Sequence, residues 1–135
     1  MKTEIIKFKN FYDERGNLVT IEKGLGVPFD IKRVYYIFGN KSNLRRGFHS
    51  HKKLKQVLIC VNGSCTIHID DGYETDEIFL NDPTTGLFLD NNIWREMYNF
   101  SPDAVLVVLA SEIYQEEDYI RNYEEFLEFV KINKD

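Results

Sequence analysis

The chain has 135 residues, with 43% hydrophobic and 29% charged residues and a formal net charge of −5 at pH 7. A chain of this size buries a core without metal or disulfide support, so we expect a single domain over residues 1–135. The acidic balance disfavours a nucleic-acid partner, and no apolar run reaches the roughly 20 residues that span a bilayer. The N-terminal residues MKTEIIKFKN are charged, unlike a secretory signal, so the expected location is the cytoplasm.

Short β-strand patterns follow one another along most of the chain. A turn signal at residues 13–17 predicts a hairpin or a bent strand between IIKF and LVTI. Further strands are predicted for IKRVYYIF (31–38), QVLICV (56–61), SCTIHI (64–69), EIFL, GLFL and VLVVLA (105–110). Asn62–Gly63 is a strong hairpin signal between two of them. Because no helices alternate with these strands, a parallel α/β sheet is disfavoured.

The C-terminal end has helical spacing instead. From Glu116 onward the apolar residues recur every three or four positions, namely Tyr119, Ile120, Tyr123, Phe126, Leu127 and Val130. Acidic residues in the early turns and Lys131 near the end suit the helix dipole. The sequence therefore predicts an all-β fold, a small antiparallel barrel or sandwich, closed by a C-terminal helix from about residue 116. This helix is expected to pack on the barrel or on a partner subunit.

The two cysteines, Cys60 and Cys65, lie five residues apart in one apolar segment. On a strand this odd spacing directs them to opposite faces, which makes them poor disulfide partners. We therefore expect two buried thiols.

One segment of this acidic chain is purely cationic. It contains no Asp or Glu, and its basic residues are Lys32, Arg33, Lys41, Arg45, Arg46, Lys52, Lys53 and Lys55. For the lysines a solvated face is the simpler interpretation. For the arginines a phosphate-binding role is an equal alternative, because a guanidinium group matches phosphate oxygens bidentately.

Both histidines of the segment RRGFHSHKKLKQVLICVNG (45–63) are candidates for chemistry. His49 and His51 are two residues apart, so on a strand both imidazoles point to the same face, into the barrel. The His-x-His pair, with Gly63 ending the segment, resembles the first motif of the cupin superfamily. That motif supplies most of the metal ligands in metal-binding cupins.

The rest of a cupin metal site is missing from the sequence. Gln56 stands where a metal-binding cupin has a glutamate, and the position of the further histidine falls on Glu96 or Met97. Two histidines and at most one carboxylate are fewer ligands than such a site uses, so we expect no metal.

Two adjacent imidazoles without a metal suit proton transfer. Each raises the cost of protonating the other, which keeps one of them neutral and available as a base near pH 7. Hydrogen-bonded packing in the core is the alternative explanation for the pair. The remaining histidine, His68, has no partner signal and is assigned no role.

Several segments together resemble the bacterial dTDP-4-keto-6-deoxyglucose 3,4-ketoisomerases. They are IKRVYYIF, RRGFHSHKKLKQVLICVNGS, ND-P-x-x-GL, IWREM and LAS-x-x-Y-x-E-x-DYIRNY, and the likeness extends from about Phe8 to about Tyr123. The resemblance implies a cupin double-stranded β-helix, a homodimer, a thymidine diphosphate sugar as substrate and chemistry without a metal or other cofactor. The 3-keto product would feed an aminotransferase that makes 3-amino-3,6-dideoxyhexoses for surface polysaccharides such as lipopolysaccharide O-antigens and S-layer glycans.

The resemblance also implies catalytic roles. His49 is the candidate acid/base that moves a proton from carbon 3 to carbon 4 of the sugar through an enediol. His51 is its partner or the donor to the sugar oxygen. Of Tyr35 and Tyr36 only one faces inward. The family pattern favours Tyr35 as the candidate for moving protons between the two oxygens.

Five further residues are candidates for binding the substrate. Arg33 and Arg46 are assigned to the pyrophosphate, and Gln56 to a hydrogen bond with the sugar. Arg15 and Arg95 occupy positions that differ between family members with galacto and gluco products. Arg15 resembles the galacto type and Arg95 the gluco type, so the configuration at carbon 4 stays open.

Three other functions stay open at this stage: a nucleotide-sugar 3,5-epimerase, a metal-dependent cupin oxygenase or isomerase, and a non-catalytic sugar-binding cupin. The short chain and the His-x-His pair favour the ketoisomerase over the epimerase. Without the resemblance, the residues indicate a metal-poor cupin with a paired-histidine site.

Overall fold

The computed structural model describes residues 1–41 and 43–134, which contain twelve strands and one α-helix. The strands are β1 (Thr3–Lys7), β2 (Asn10–Asp13), β3 (Gly16–Val19), β4 (Arg33–Phe38), β5 (Arg46–His51), β6 (Gln56–Asn62), β7 (Cys65–Asp70), β8 (Thr75–Leu80), β9 (Thr85–Leu89), β10 (Trp94–Tyr98), β11 (Val105–Ala110) and β12 (Tyr119–Ile120). A 3₁₀ turn at Glu116–Asp118 precedes β12, and helix α1 (Tyr123–Ile132) ends the fold. Among the described residues, no helix is long and apolar enough to cross a membrane.

Two five-stranded antiparallel sheets form the body of the molecule. Their orders are β1-β9-β6-β11-β4 and β12-β5-β10-β7-β8, and β2 and β3 form a separate hairpin. Apolar residues of both sheets meet in one core, which includes Leu58, Leu106 and Val108 from the first sheet and Ile67 and Met97 from the second. This architecture confirms the predicted all-β double-stranded β-helix with a C-terminal helix.

A second apolar cluster covers the outer face of the first sheet. Phe8, Val27 and Phe29 of the N-terminal segment pack there against Val57 and Ile59 of β6. The predicted turn at residues 13–17 does form a hairpin, between β2 and β3. The IIKF segment is not part of that hairpin. Its residues belong mostly to β1, which pairs with β9 at one edge of the first sheet.

The turn at Asn62–Gly63 corrects a sequence prediction. It does not join a hairpin: β6 pairs with β9 and β11, whereas β7 pairs with β8 and β10 in the other sheet. Gly63 has φ 69°, and a Cβ there would lie 2.2 Å from Ser101 Oγ and 2.9 Å from Ala104 Cα. The glycine therefore marks a tight crossing between sheets, since local turn chemistry specifies a chain reversal but not the strand that will be paired.

The same crossing changes the prediction for the cysteines. Cys60 and Cys65 are both buried and free, as expected. They do not face opposite ways, however, because both belong to the core between the sheets. The alternation rule applies within one strand, and here the chain passes from one sheet to the other between the two residues.

The C-terminal helix begins at Tyr123, seven residues after the predicted start at about residue 116. The side chain of Asn122 caps it by accepting a 3.0 Å hydrogen bond from the backbone N–H of Glu125. The preceding Tyr119–Ile120 is a strand that pairs with Ser50 and His51 of β5. Phe126 anchors the helix in a cluster with Trp94 and Ile120.

Candidate active site

A cavity of about 400 Å³ opens beside β4, β5 and β12. It is lined by Arg33, Val34, Tyr35, Ile37, Arg46, Gly47, His49, Met97, Tyr119 and Arg121. Four of the residues predicted from the sequence therefore meet in one place, namely Arg33, Tyr35, Arg46 and His49. Tyr36, the neighbour that alternation turns outward, is 64% exposed.

The two histidines lie side by side, as their spacing predicted. Their ring centroids are 4.9 Å apart in an edge-to-face arrangement. His49 lies on the cavity wall, whereas His51 is fully buried behind it. The pair therefore has one member exposed to a ligand and one shielded from it.

A distorted stretch of β5 orients His49. Gly47 and Phe48 both have positive φ, 96° and 56°, and the register against β10 shifts next to them. A Cβ on Gly47 would lie 2.8 Å from the carbonyl oxygen of Arg95, so only glycine fits. Nδ1 of His49 is 3.0 Å from the Gly47 carbonyl, which can only accept. Nδ1 therefore carries the proton, and Nε2 is left as the basic nitrogen.

Both imidazoles are held neutral, mainly by burial. Burial, and after it the nearby guanidinium of Arg95, lowers the pKa of His49 from 6.5 to about 3. The pKa of His51 lies far below its ordinary value, for the same two reasons and then because of His49. The mutual effect expected from the sequence is thus present but smaller than desolvation.

Behind the wall, a hydrogen-bond chain runs from Arg95 through Gln56 to Tyr35. Nη1 of Arg95 donates to Oε1 of Gln56 at 2.5 Å, and Nε2 of Gln56 donates to the Tyr35 hydroxyl oxygen at 3.1 Å. Arginine can only donate, which fixes the orientation of the amide. Tyr35 thus accepts from Gln56, and its own proton is free for a ligand.

Gln56 and Arg95, which were assigned to the substrate from the sequence, therefore do not line the cavity. Gln56 is 1% exposed and uses both of its polar atoms within this chain. Arg95 is fully buried, and its remaining donors reach the carbonyl oxygen of Ile93 at 3.0 and 3.2 Å. Gln56 acts on the cavity through its hydrogen bond to Tyr35, and Arg95 acts through its positive charge near the histidines.

The metal-ligand positions left open by the sequence hold no cluster of ligands. Glu96 points away from the cavity, towards Arg45 and Trp94, whereas Met97 lines it. In residues 1–41 and 43–134 there is no group of three His, Cys, Asp or Glu side chains that could hold a metal ion. The position opposite His49 is taken by Arg95.

The arginines differ in how they are held. Arg33 packs against the rings of Tyr35 and Tyr114, at 5.3 and 5.7 Å, and its Nε and Nη2 are buried without a hydrogen-bond partner among the described residues. Arg46 contacts Asn40 at 3.3 Å. Arg15 does not line the cavity of its own chain, because it pairs with Asp13 at the exposed tip of the β2–β3 hairpin.

The segment before helix α1 forms a wall that the sequence interpretation missed. The ring of Tyr119 lies 4.4 Å from His51 and 5.0 Å from His49. Arg121 stacks on Tyr119 at 4.2 Å and is held by Glu116 at 2.8 Å. Tyr119 and Arg121 belong to the DYIRNY motif, but the helical spacing of the apolar residues in this segment predicted a helix where the structure has a strand.

Comparison with known proteins gives matches over nearly the whole chain. The family model described as "FdtA: WxcM-like, C-terminal" matches residues 1–131. The TDP-4-oxo-6-deoxy-alpha-D-glucose-3,4-oxoisomerase of Aneurinibacillus thermoaerophilus is 52% identical, with 98% of this chain and 96% of the relative covered.

Solved structures agree with these matches. A histidine-to-asparagine variant of the 3,4-ketoisomerase QdtA from Thermoanaerobacterium thermosaccharolyticum, in complex with TDP-4-keto-6-deoxyglucose, is 48% identical with a TM-score of 0.95, covering 98% of this chain and 96% of that chain. The TDP-quinovose 3,4-ketoisomerase WlaRB of Campylobacter jejuni is 50% identical with a TM-score of 0.91, covering 94% and 98%. The resemblance drawn from the motifs is confirmed. This chain belongs to the FdtA family of sugar 3,4-ketoisomerases.

Proposed function

We propose that this chain is a TDP-sugar 3,4-ketoisomerase, which converts TDP-4-keto-6-deoxyglucose to a TDP-3-keto-6-deoxyhexose. The relatives support the reaction and the substrate class. The observation that carries the proposal is a neutral imidazole facing the same cavity as a tyrosine hydroxyl whose proton is free. A base and an acid of this kind are what a 3,4-proton shift requires.

The substrate is held through its diphosphate by Arg33 and Arg46. Both line the cavity, and a guanidinium group matches phosphate oxygens bidentately. The stacking of Arg33 between two tyrosine rings limits its motion. The sugar then lies deeper, against His49 and Tyr35.

In the first half of the reaction, Nε2 of His49 removes the proton from carbon 3. The C–H bond breaks, its electron pair forms the carbon 3–carbon 4 double bond, and the carbonyl oxygen on carbon 4 takes the proton of Tyr35. Burial raises the pKa of Tyr35, so the phenol is protonated and able to donate. The product of this step is the enediol.

In the second half, the protons return at the other carbon. The imidazolium of His49 gives its proton to carbon 4, while the hydroxyl on carbon 3 returns a proton to Tyr35 and becomes the ketone. Because the pKa of His49 is about 3, taking the carbon 3 proton is the uphill half of the reaction, and the imidazolium so formed is a strong acid that returns the proton readily to carbon 4. At the end of the reaction His49 is again neutral and Tyr35 is again protonated, so the two side chains return to their starting states. The isomerisation involves no net oxidation or reduction.

The test is proton NMR of chelator-treated protein with TDP-4-keto-6-deoxyglucose in deuterated water, with a 3-aminotransferase and its amino donor to trap the product. Deuterium at carbon 4 of a 3-amino sugar supports the proposal, and the couplings there give the configuration. Exchange at carbon 5 would instead indicate an epimerase. An unchanged sugar, beside an active control ketoisomerase, overturns the proposal.

A homodimer is the second part of the proposal. The β2–β3 hairpin is a two-stranded sheet whose Tyr12 and Leu18 are 74% and 59% exposed, and an isolated hairpin of this kind is marginally stable. Strand β4 is an edge strand whose Tyr36 and Phe38 are 64% and 67% exposed. A second copy that docks its hairpin beside β4 covers both surfaces.

Sedimentation velocity tests the dimer. Tyr36→Lys is expected to shift the protein towards monomer, whereas Phe79→Lys, which alters a 60% exposed residue on the edge strand of the other sheet, leaves the dimer intact. A monomeric wild type contradicts the proposal.

This docking also gives Arg15 a role that its own chain does not. Because Arg33 and Tyr35 lie on β4, a partner hairpin beside that strand carries its Arg15 towards the cavity. We expect Arg15→Ala to slow turnover. Mixed dimers of Arg15→Ala and His49→Asn subunits should then exceed the activity of either parent, and no gain argues against a shared site.

The place of the reaction follows from its product. A 3-keto sugar linked to a nucleotide suits an aminotransferase that installs a 3-amino group for surface polysaccharides, including lipopolysaccharide and S-layer glycans. The free thiols of Cys60 and Cys65 support a reducing compartment such as the cytoplasm. Cell fractionation with an antibody to this chain tests the location.

A further inference from the structure

Asp118 is a buried carboxylate with no role in the reaction described so far. It is 8% exposed and lies in the 3₁₀ turn that leads into β12. Its Oδ1 and Oδ2 accept backbone hydrogen bonds from Lys53 at 2.9 Å and Leu54 at 3.2 Å. These bonds hold the carboxylate in place, and each oxygen keeps a free lone pair.

The free side of this carboxylate faces the inner histidine. Oδ2 of Asp118 is 3.4 Å from Nδ1 of His51, and both side chains are buried. Neither nitrogen of His51 has a hydrogen-bond partner among the described residues. A neutral imidazole carries one N–H, and a buried N–H without an acceptor is costly, so a small closing movement towards Asp118 is favoured.

We propose that Asp118 is a positioning residue for the paired histidines: its carboxylate accepts the Nδ1 proton of His51, and so fixes the tautomer and the ring orientation of that residue. The expected effect on kcat rests on the proposed function, whereas the tautomer of His51 does not depend on it. A buried carboxylate that orients an imidazole and stabilises its positive charge is an established catalytic arrangement.

The charges around His51 give the carboxylate a second effect. The groups that act on the pair from the neighbouring elements are mostly cationic or neutral: Arg33 on β4, Arg95 on β10, Arg121 after β12, and Tyr119 beside both rings. Glu116 is the anionic exception, and its charge acts on His49. When His49 takes the carbon 3 proton, a positive charge appears among them. The negative charge of Asp118 reaches that site through His51, whose ring touches His49 edge-on.

The contact between Asp118 and His51 could not be predicted from the sequence, because it depends on which strands pair. Asp118 is 67 residues from His51, and the pairing of Tyr119 with His51 brings the two together. The backbone of Asp118 also accepts from Lys52 N at 2.9 Å, so the segment is fixed on both sides of the carboxylate.

The tautomer is tested directly by long-range ¹H–¹⁵N NMR of protein labelled with ¹⁵N-histidine. The chain has three histidines, so His68→Gln and His49→Asn spectra assign the remaining signals. We expect the wild-type protein to show His51 protonated on Nδ1. A wild-type spectrum with the proton on Nε2 of His51 overturns the proposal, whatever the variants do.

Asp118→Asn is the variant that tests the consequence. It keeps a carbonyl oxygen that accepts from Lys53 N, but the amide group that faces His51 can only donate and loses the bond from Leu54 N, so the proton of His51 should move to Nε2. We expect kcat to fall about 10- to 100-fold with KM within about twofold, as for a lost outer-shell orienting group. A folded Asp118→Asn protein with an unchanged His51 signal overturns the proposal.

Asp70→Asn is the matched control. Asp70 is 5% exposed and also accepts a backbone N–H, from Gly72 at 2.7 Å, but it contacts Tyr123 instead of the histidines. It should alter neither the tautomer nor kcat. Because the NMR measurement needs no substrate, a failed ketoisomerase assay leaves the tautomer result standing, and the two proposals fail separately.

Discussion

The space between the two sheets has a polar end, which contains the cavity, and an apolar end, which is the core. The same strands contribute residues to both ends. Along β4 the inward residues run from Arg33 through Tyr35 to Ile37, and along β6 they run from Gln56 through Leu58 to Cys60. The apolar end is a close-packed core that contributes burial energy. The polar end stays accessible to a ligand and holds groups that are costly to bury.

The difference shows how the polar end is tolerated. Some of its buried groups are satisfied by each other, as in the chain from Arg95 through Gln56 to Tyr35, and others are kept neutral, as are His49 and His51. The exception is Arg33, whose Nε and Nη2 are buried without a partner among the described residues. The apolar end supplies the rigid frame that keeps these side chains within reach of one another. Stability and chemistry are thus divided between the two ends of one fold, and each end can be altered separately.

The largest expected effect is at the polar end. His49→Asn removes the base, so kcat should fall about 10²- to 10⁴-fold. The affinity for TDP should stay within about twofold, because the arginines that hold the diphosphate are unchanged. Turnover by the deuterium NMR assay and TDP binding by calorimetry measure the two quantities. Wild-type rates in this variant would remove His49 from the mechanism.

A substitution at the apolar end should do the reverse. Leu58→Ala creates a cavity at a fully buried position, and the free energy of unfolding should fall by about 2–5 kcal/mol. The kcat of the folded protein should stay within about twofold of wild type. Urea unfolding checks the first expectation. Phe79→Ala, at a position 60% exposed and outside the proposed dimer interface, serves as the control and should cost less than about 0.5 kcal/mol.

Low pH should destabilise the protein through His49 at the polar end. The unfolded chain protonates His49 below pH 6.5, but in the folded state its pKa is about 3, so between these values the unfolded state binds more protons. Stability should therefore fall as the pH drops below about 6.5, by up to about 1.4 kcal/mol per pH unit for this residue.

Urea unfolding at pH 7 and pH 5 tests this linkage. The wild type should lose about 2 kcal/mol more than His49→Asn over that interval, because the carboxylates contribute equally to both proteins. Equal losses in the two proteins would show that the folded His49 titrates near its ordinary pKa.

The smallest expected effect is on affinity. Arg33→Lys keeps the charge but loses the bidentate fork, so the Kd for TDP should rise about tenfold, or about 1.4 kcal/mol, with little change in kcat. Arg45→Lys is the control, because Arg45 packs on Tyr98 and pairs with Glu96 away from the cavity. A Kd that rises equally in both variants would indicate a general charge effect.

Local patterns were enough to predict most strands, the His49–His51 pair and the inward side of Tyr35. Strands are predicted from the alternation of neighbouring side chains alone. The histidine pair and the choice of Tyr35 depended in addition on the family motifs. The limits of local patterns show at Asn62–Gly63, where the turn was correctly located but the strands it joins lie in different sheets.

The site was less predictable than the strands, because its walls come from distant segments. Nothing local indicates that Arg95 and Gln56 bind each other instead of a ligand, or that Arg15 lies outside the cavity of its own chain. Those facts depend on which strands pair and in which register.

By itself the sequence determined the all-β class, the C-terminal helix, the paired imidazoles and the family, because these depend on periodicity and on contiguous motifs. Tertiary structure alone decided that Tyr119 and Asp118 flank the histidines and that the helix starts only at Tyr123. The physical reason is competition: residues 116–120 have a helical pattern of their own, but β5 offers Tyr119 and Ile120 a strand to pair with. Long-range hydrogen bonding and burial outweigh the weak local preference for helix.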